Sequence, residues 1–170
     1  MLQKPRRYQR MMNKQTVIQL VIEQIARDLK VLVSSAKASH AEATHEQNKP
    51  ENKYDTRALE ASYLARGQSR QVAELEKAKQ EFESLNATDW PANTPIDVGA
   101  LLLLQNGKTE DVYLLGPRVG GIEVICDGTS VTVITPQSPI GQQLLGKTQG
   151  ETIVLPNDRE QRRFKIARVV

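Results

Sequence analysis

The spacing of apolar residues between Asn13 and Phe82 constrains this chain more than any other feature. Apolar or small residues recur at Ile18, Ile22, Ile25, Leu29, Leu32, Ala36, Ser39 and Ala43, in alternating steps of four and three. Those steps put all of them on one stripe of a helix and define a heptad seam. A second seam runs through Tyr54, Ala58, Ala61, Ala65, Gln68, Val72, Leu75, Lys79 and Phe82. Between the two stands Gln47-Asn48-Lys49-Pro50-Glu51-Asn52. Pro50 cannot continue the first helix but suits the opening of the second, and Asn48 is a fair cap. The pattern predicts an antiparallel coiled-coil hairpin over residues 13–86, with its tip at 46–55. Arms of about 32 residues give a rod of roughly 45–50 Å.

Val17, Leu20, Val21, Val31 and Val33 widen the apolar stripe near the start of the first arm, so that end is expected to pack against a further element. Toward the turn both arms become smaller and more polar, with Ala36, Ser39 and Ala43 facing Ala58, Ala61 and Ala65. The tip is therefore thin and weakly held by burial. Gly67 weakens the second helix by ~1 kcal/mol relative to alanine and is expected where the arms approach closely. A rod longer than a core requires points to work at its far end, at Glu46, Asn48, Glu51 and Asp55. His40 and His45 lie five apart, on different helix faces, and no cysteine completes a zinc site with them.

Composition excludes several classes of function. The 170 residues carry a net charge of +3, but Lys4, Arg6, Arg7 and Arg10 supply four positive charges within the first twelve residues, which hold no acid. Removing those four from the 23 basic residues leaves 19 against 20 acidic ones. Residues 1–12 thus read as a disordered basic tail, or as an over-long start with Met11 or Met12 opening the native chain; the tail is able to attract phosphate but has no arrangement that reads a sequence. No apolar run approaches the ~20 residues that span a bilayer, and no secretory signal is evident. The single cysteine, Cys126, excludes an intrachain disulfide and, among Val124, Ile125 and Val131, reads as a buried strand thiol. A soluble, intracellular, cytoplasmic protein is expected.

After Trp90-Pro91 and up to Pro95 the periodicity changes from helix to strand, which makes residues 87–94 a linker. Strands are predicted at Val98–Leu104, Val112–Leu115, Ile122–Ile125, Val131–Ile134, Thr152–Leu155 and Arg163–Val169. Asn106-Gly107, Gly120-Gly121, Asp127-Gly128 and Pro156-Asn157-Asp158 mark the turns. Ser138 as cap and Pro139 at the first helical position open a short helix, Ile140–Leu145, that stops at Gly146. The whole reads as α+β, with the helical hairpin followed by an antiparallel sheet domain over residues 95–170 with one short helix.

These residues resemble the bacterial Gre transcript-cleavage factors over residues 13–170. Ser138-Pro139-Ile140-Gly141-Gln142-Gln143-Leu144-Leu145-Gly146-Lys147 is similar to the family's "SPIxxxLxGK" helix, Gly150-Glu151 to the "GD"-type turn that follows it, and Glu51-Asn52 to the Glu-Asn pair of the hairpin loop. The resemblance implies an FKBP-like C-terminal domain that docks on RNA polymerase at the rim of its secondary channel. The coiled coil would pass down the channel, and exposed apolar residues of the small domain would carry the docking. It further implies a monomeric accessory factor, not itself an enzyme, that stimulates the polymerase to cleave backtracked RNA. Magnesium would be held only in the polymerase complex, by Glu51 first, near the RNA 3′ end. Glu46 and Asp55 would be auxiliary carboxylates and Asn48 a polar substitute. The broad DNA-binding and cytoplasmic character of transcription factors comes with the resemblance.

The family carries an aspartate where this chain has Asn48, and Lys49, Lys53 and Arg57 nearly neutralise the tip carboxylates. A second reading is therefore a regulator that occupies the same channel without cleavage. A prolyl isomerase is disfavoured because residues 91–170 hold only two aromatics, Tyr113 and Phe164. A free-standing coiled-coil adaptor would leave the Ser138–Lys147 motif without a purpose.

Overall fold

A computed structural model describes residues 12–44, 57–91, 93–156 and 161–170. The elements follow the order α1 (Lys14–Thr44), α2 (Arg57–Glu83), β1 (Leu101–Asn106), β2 (Thr109–Leu115), β3 (Glu123–Cys126), β4 (Thr129–Ile134), α3 (Pro139–Leu144), β5 (Thr152–Pro156) and β6 (Gln161–Val169). They form two compact units, one of residues 23–80 and one joining residues 1–22 to 81–170.

The first unit is a helical pair in which most described seam positions are at least half-buried, although the buried residue of α2 here, Ala78, stands one position before the seam residue Lys79. On α1, Ile25 is fully buried and Leu29, Leu32 and Ala36 are half-buried; on α2, Ala78 is buried and Val72, Leu75 and Lys79 are half-buried. Gln68 Nε2 donates to Ser35 Oγ at 2.8 Å across the pair. Gly67 departs from expectation: it is exposed, and a side chain there would meet nothing within 4 Å. Close approach of the arms does not account for it.

The second unit is a six-stranded sheet in the order β3-β4-β2-β1-β6-β5. Alternation along each strand sends Leu102, Leu104, Leu115, Ile134, Ile153, Phe164 and Ile166 into one core with Ile96, Ala100 and Leu144 of α3. The residues between them, Leu101, Val112, Leu114, Val124, Val131 and Val133, are also buried. Val17, Ile18 and Val21 at the start of α1 and Phe82 at the end of α2 are buried in the same unit. This is the further packing expected of the widened apolar stripe at Val17 and Val21, but not at Val31, which is 71% exposed. Phe82 and Val133 meet at Gly116, where an added Cβ would lie 2.6 Å from the Phe82 ring and 3.0 Å from Val133.

The sheet is antiparallel except for one pair. β2 runs parallel to β4, with Val112 beside Val131 and Leu114 beside Val133, which corrects the wholly antiparallel expectation. Residues 116–128 provide the crossover of a dozen or more residues that parallel strands need. The loop after β2 passes the end of β4, to which Gly121 N donates through Val133 O at 2.8 Å. β3 then forms the edge and turns back through Asp127-Gly128, both at positive φ, as the two-residue hairpin signal requires. The first hairpin loop is Gly107-Lys108, one residue later than Asn106-Gly107, since Asn106 pairs with Thr109. β1 begins at Leu101 because Val98 and Gly99 form a turn with Gly99 at φ 97°. Cys126 is buried, as predicted for a strand thiol, and burial, then Asp127, pushes its pKa up.

Candidate functional site

α1 ends at Thr44 and α2 begins at Arg57, so Glu46, Asn48, Glu51, Asp55 and His45 lie outside the described residues. His40 lies on α1. Among the described residues no group of three or more His, Cys, Asp or Glu side chains could hold a metal ion. Likewise, no described helix is long and apolar enough to cross a membrane.

The Ser138–Lys147 motif is described throughout, and its residues have separate structural duties. Ser138 adopts the extended backbone of a cap, with φ −68° and ψ 151°. Its Oγ accepts from Gly141 N at 3.0 Å and donates to Thr135 O at 2.7 Å. Pro139 occupies the first turn, where its missing N–H costs no helix bond. Gly141 is buried against the Thr135 carbonyl, and a Cβ there would also lie 2.9 Å from Ser138 Oγ. Leu144 enters the core, and Ile140 packs against it. Gly146, at φ 74°, ends the helix; its N–H donates to Ile96 O at 2.9 Å while Ile96 N donates to Lys147 O at 2.7 Å. The short helix is thereby tied to Thr135, after β4, at its start and to Ile96, at the entry of the sheet domain, at its end.

Glu151 closes the turn that follows. Its carboxylate accepts from Thr148 N at 2.6 Å, Thr148 Oγ1 at 3.0 Å and Lys147 Nζ at 3.0 Å. Its backbone joins the sheet, where Ile166 N donates to Glu151 O at 2.8 Å. The Thr148 backbone bond, then the Lys147 and Thr148 side-chain bonds, hold its pKa below the usual glutamate value. A depressed carboxylate stabilises the fold above its unfolded pKa, and that contribution is lost as pH falls through the lowered folded value. Wild-type protein and Glu151→Gln should therefore differ in urea midpoint at neutral pH and converge as the pH drops below that value. A gap that persists unchanged into strong acid would show that the carboxylate charge is not what the turn uses.

Sequence reasoning passed over Lys14. It is almost wholly buried, and its Nζ donates to Thr88 O at 2.8 Å and to Val170 O at 3.4 Å, 5.1 Å from the centre of the Trp90 ring. Burial lowers its pKa, against the pull of Asp89. One ammonium thus ties the start of α1, the predicted linker and the last residue together. The available signal was a cation in the first helical turn, where the macrodipole disfavours it, directly before an apolar stripe.

Large apolar side chains exposed on the sheet unit are Ile125, 64% exposed on edge strand β3, and Leu145, 38% exposed at the end of α3. A groove of about 450 Å³ crosses β2, β4 and β3 and is lined by Glu110, Asp111, Tyr113, Glu123, Ser130 and Thr132 among others. The Tyr113 hydroxyl has its pKa raised by burial and then by Asp111. Phe164 is buried in the core and does not line the groove. This polar lining is not the apolar, aromatic one of a proline pocket.

No protein-family model and no curated protein matches the chain. Solved structures similar to it include a transcription factor, Gfh1, at 14% identity, covering 87% of this chain and 92% of the other with a TM-score of 0.38. GreA factor homolog 1 (Gfh1) of Thermus thermophilus is similar at 16% identity over 88% and 94% of the two chains, with a TM-score of 0.37. The prokaryotic transcription elongation factor GreA/GreB from Nitrosomonas europaea is similar at 18% identity over 66% and 92%, with a TM-score of 0.35.

Proposed function

We propose that this chain is a divergent Gre-like transcription elongation factor, an accessory protein that binds RNA polymerase through its secondary channel and stimulates cleavage of backtracked RNA. One observation supports this reading above others. The Ser138–Lys147 motif forms a capped helix that requires glycine at 141, on a sheet unit whose chain is preceded by a long helical pair. In the proposed division, the hairpin of residues 13–86 carries the tip. Residues 87–94 connect it to a docking domain of residues 95–170, where Leu145 and Ile125 offer apolar contact. The factor acts as a monomer.

The donor chemistry of the tip suits magnesium, a hard cation that takes oxygen ligands. Glu51 would hold the ion jointly with the polymerase, Glu46 and Asp55 would add negative charge, and Asn48 would contribute a neutral oxygen. A second metal in phosphodiester hydrolysis stabilises the attacking and leaving oxygens. The role of this chain's own residues would be to bring carboxylate to an enzyme that binds the second metal poorly alone. Asn48 favours a second reading, a regulator of the same channel without cleavage, because it removes one charge from the ligand set.

RNA shortening in stalled, backtracked elongation complexes separates the two. Cleavage is expected with saturating protein and magnesium, and its absence despite binding selects the second reading. Failure to co-purify with polymerase would overturn both. Glu51→Ala should abolish cleavage and leave binding intact, whereas loss of both would make the tip a docking element. Asn48→Asp should raise cleavage if this position limits metal recruitment.

A further inference from the structure

Charge is segregated across the sheet. On the adjoining strands β1, β6 and β5 the charged residues are Arg162, Arg163, Lys165 and Arg168, all positive. On β2, β4 and β3 they are Glu110, Asp111 and Glu123, all negative. The turn between β5 and β6, with Asp158, Arg159 and Glu160, lies outside the described residues.

Three of the four cations share one face. Phe164 and Ile166 enter the core beneath α3, so Arg163 and Lys165 stand on the opposite face, and both are exposed. Simple alternation would send Arg168 to the Phe164 side. A bulge opposite Leu103 and Leu104 prevents this by pairing Leu104 with Ile166 but Leu103 with Arg168. One inserted residue re-aims the side chain, a recognised use of bulges. The row from Arg163 to Arg168 is roughly 16 Å long at about 3.3 Å per residue. None of the three forms an ion pair with a described residue. On the adjoining strands their neighbours on this face are Leu103, Gln105, Thr152 and Val154, which include neither an acid nor an aromatic ring; Glu110 stands on the same face one strand further, beyond Gln105.

We infer that this face binds the phosphate backbone of a single-stranded nucleic acid, independently of any polymerase contact. Charge complementarity selects an anion. A protein partner needs an apolar, often aromatic, desolvated centre; the row has only Leu103 and Val154 as apolar neighbours and no ring beside it, whereas phosphate contacts need none. A duplex is read by a helix or ribbon inserted in a groove, and a flat sheet face inserts nothing. A flexible single strand can follow a straight row of cations. With no ring for stacking, binding is weak, independent of sequence and strongly dependent on salt.

Fluorescence anisotropy of the full chain with a short, labelled, mixed-sequence single-stranded RNA tests this between about 50 and 200 mM salt. The triple variant Arg163→Gln/Lys165→Gln/Arg168→Gln should flatten the slope of log K against log salt by about 2, at ~0.7 per phosphate contact. The double variant Arg163→Gln/Lys165→Gln, which keeps the half-buried Arg168, should flatten it by about 1.4. It serves if the triple variant does not fold. Lys30→Gln/Lys37→Gln/Lys77→Gln changes the net charge equally at exposed helix positions and should leave the slope as in the wild type. An unchanged slope in the double variant, or equal flattening in the helix control, overturns the inference. So does displacement of the RNA by polyglutamate at equal charge concentration, or binding of a duplex as tight per phosphate.

Discussion

Replacing Phe82 with alanine should cost the sheet unit about 3–5 kcal/mol, the range for truncating a buried phenylalanine. The side chain is fully buried, and it sits in the last turn of α2, within the unit that includes the sheet. Its ring lies where a Cβ on Gly116 would fall, at 2.6 Å from Cζ and 3.1 Å from Cε1, with Val133 Cγ1 at 3.0 Å. Truncation therefore opens a cavity beside Gly116, bonded to Ile134 O, and the strand residue Val133, both held by backbone hydrogen bonds and unable to collapse far. The converse change, Gly116→Ala, overfills the same space at about 1–3 kcal/mol. A smaller ring-free residue should relieve it, so Phe82→Leu and Gly116→Ala should be less than additive, with a coupling of about 0.5 kcal/mol or more. Urea unfolding of the four proteins checks this. Additive costs would show that the two sites do not share the space.

The seams were legible because a long amphipathic helix repeats its burial every few residues, and Ile18, Ile25 and Phe82 are buried where the heptad steps place them. The strands were legible for the same reason at period two, and Ser138-Pro139 announced α3 through local chemistry. Strand order was not legible, because pairing between β2 and β4 is decided over the crossover and leaves no local trace. Gly120-Gly121 looked like a hairpin turn, yet Gly121 N bonds to Val133 O and the chain bypasses β2. The basic face was hidden by the same limit. Arg163, Lys165 and Arg168 alternate in sequence as if split between two faces, and only the bulge opposite Leu103 unites them. Lys14 was hidden because its partners, Thr88 and Val170, are remote in sequence. The acids of the tip were legible only as composition and spacing, since metal ligation is a property of positions in space.

Gly141→Ala should be the most damaging small substitution on the sheet unit, costing about 3 kcal/mol, the upper end of the range for overpacking. Most glycines in turns are selected by backbone angle, but Gly141 lies inside α3, where alanine would ordinarily be preferred by about 1 kcal/mol. Here that preference is overridden, because a Cβ would overlap the Thr135 carbonyl oxygen and crowd its carbon at 2.8 Å. The carbonyl cannot swing away cheaply, since it accepts from both Ser138 N at 3.0 Å and Ser138 Oγ at 2.7 Å. Ser138→Ala provides the scale. It removes the cap but adds no atoms, and should cost about 1 kcal/mol, or roughly 2–4 °C in melting temperature for a chain of this size. Gly141→Ala should lower the melting temperature two to three times as far. A drop no larger than that of Ser138→Ala would mean that the start of α3 shifts to admit the methyl group. The glycine of the motif would then reflect something other than its contact with Thr135.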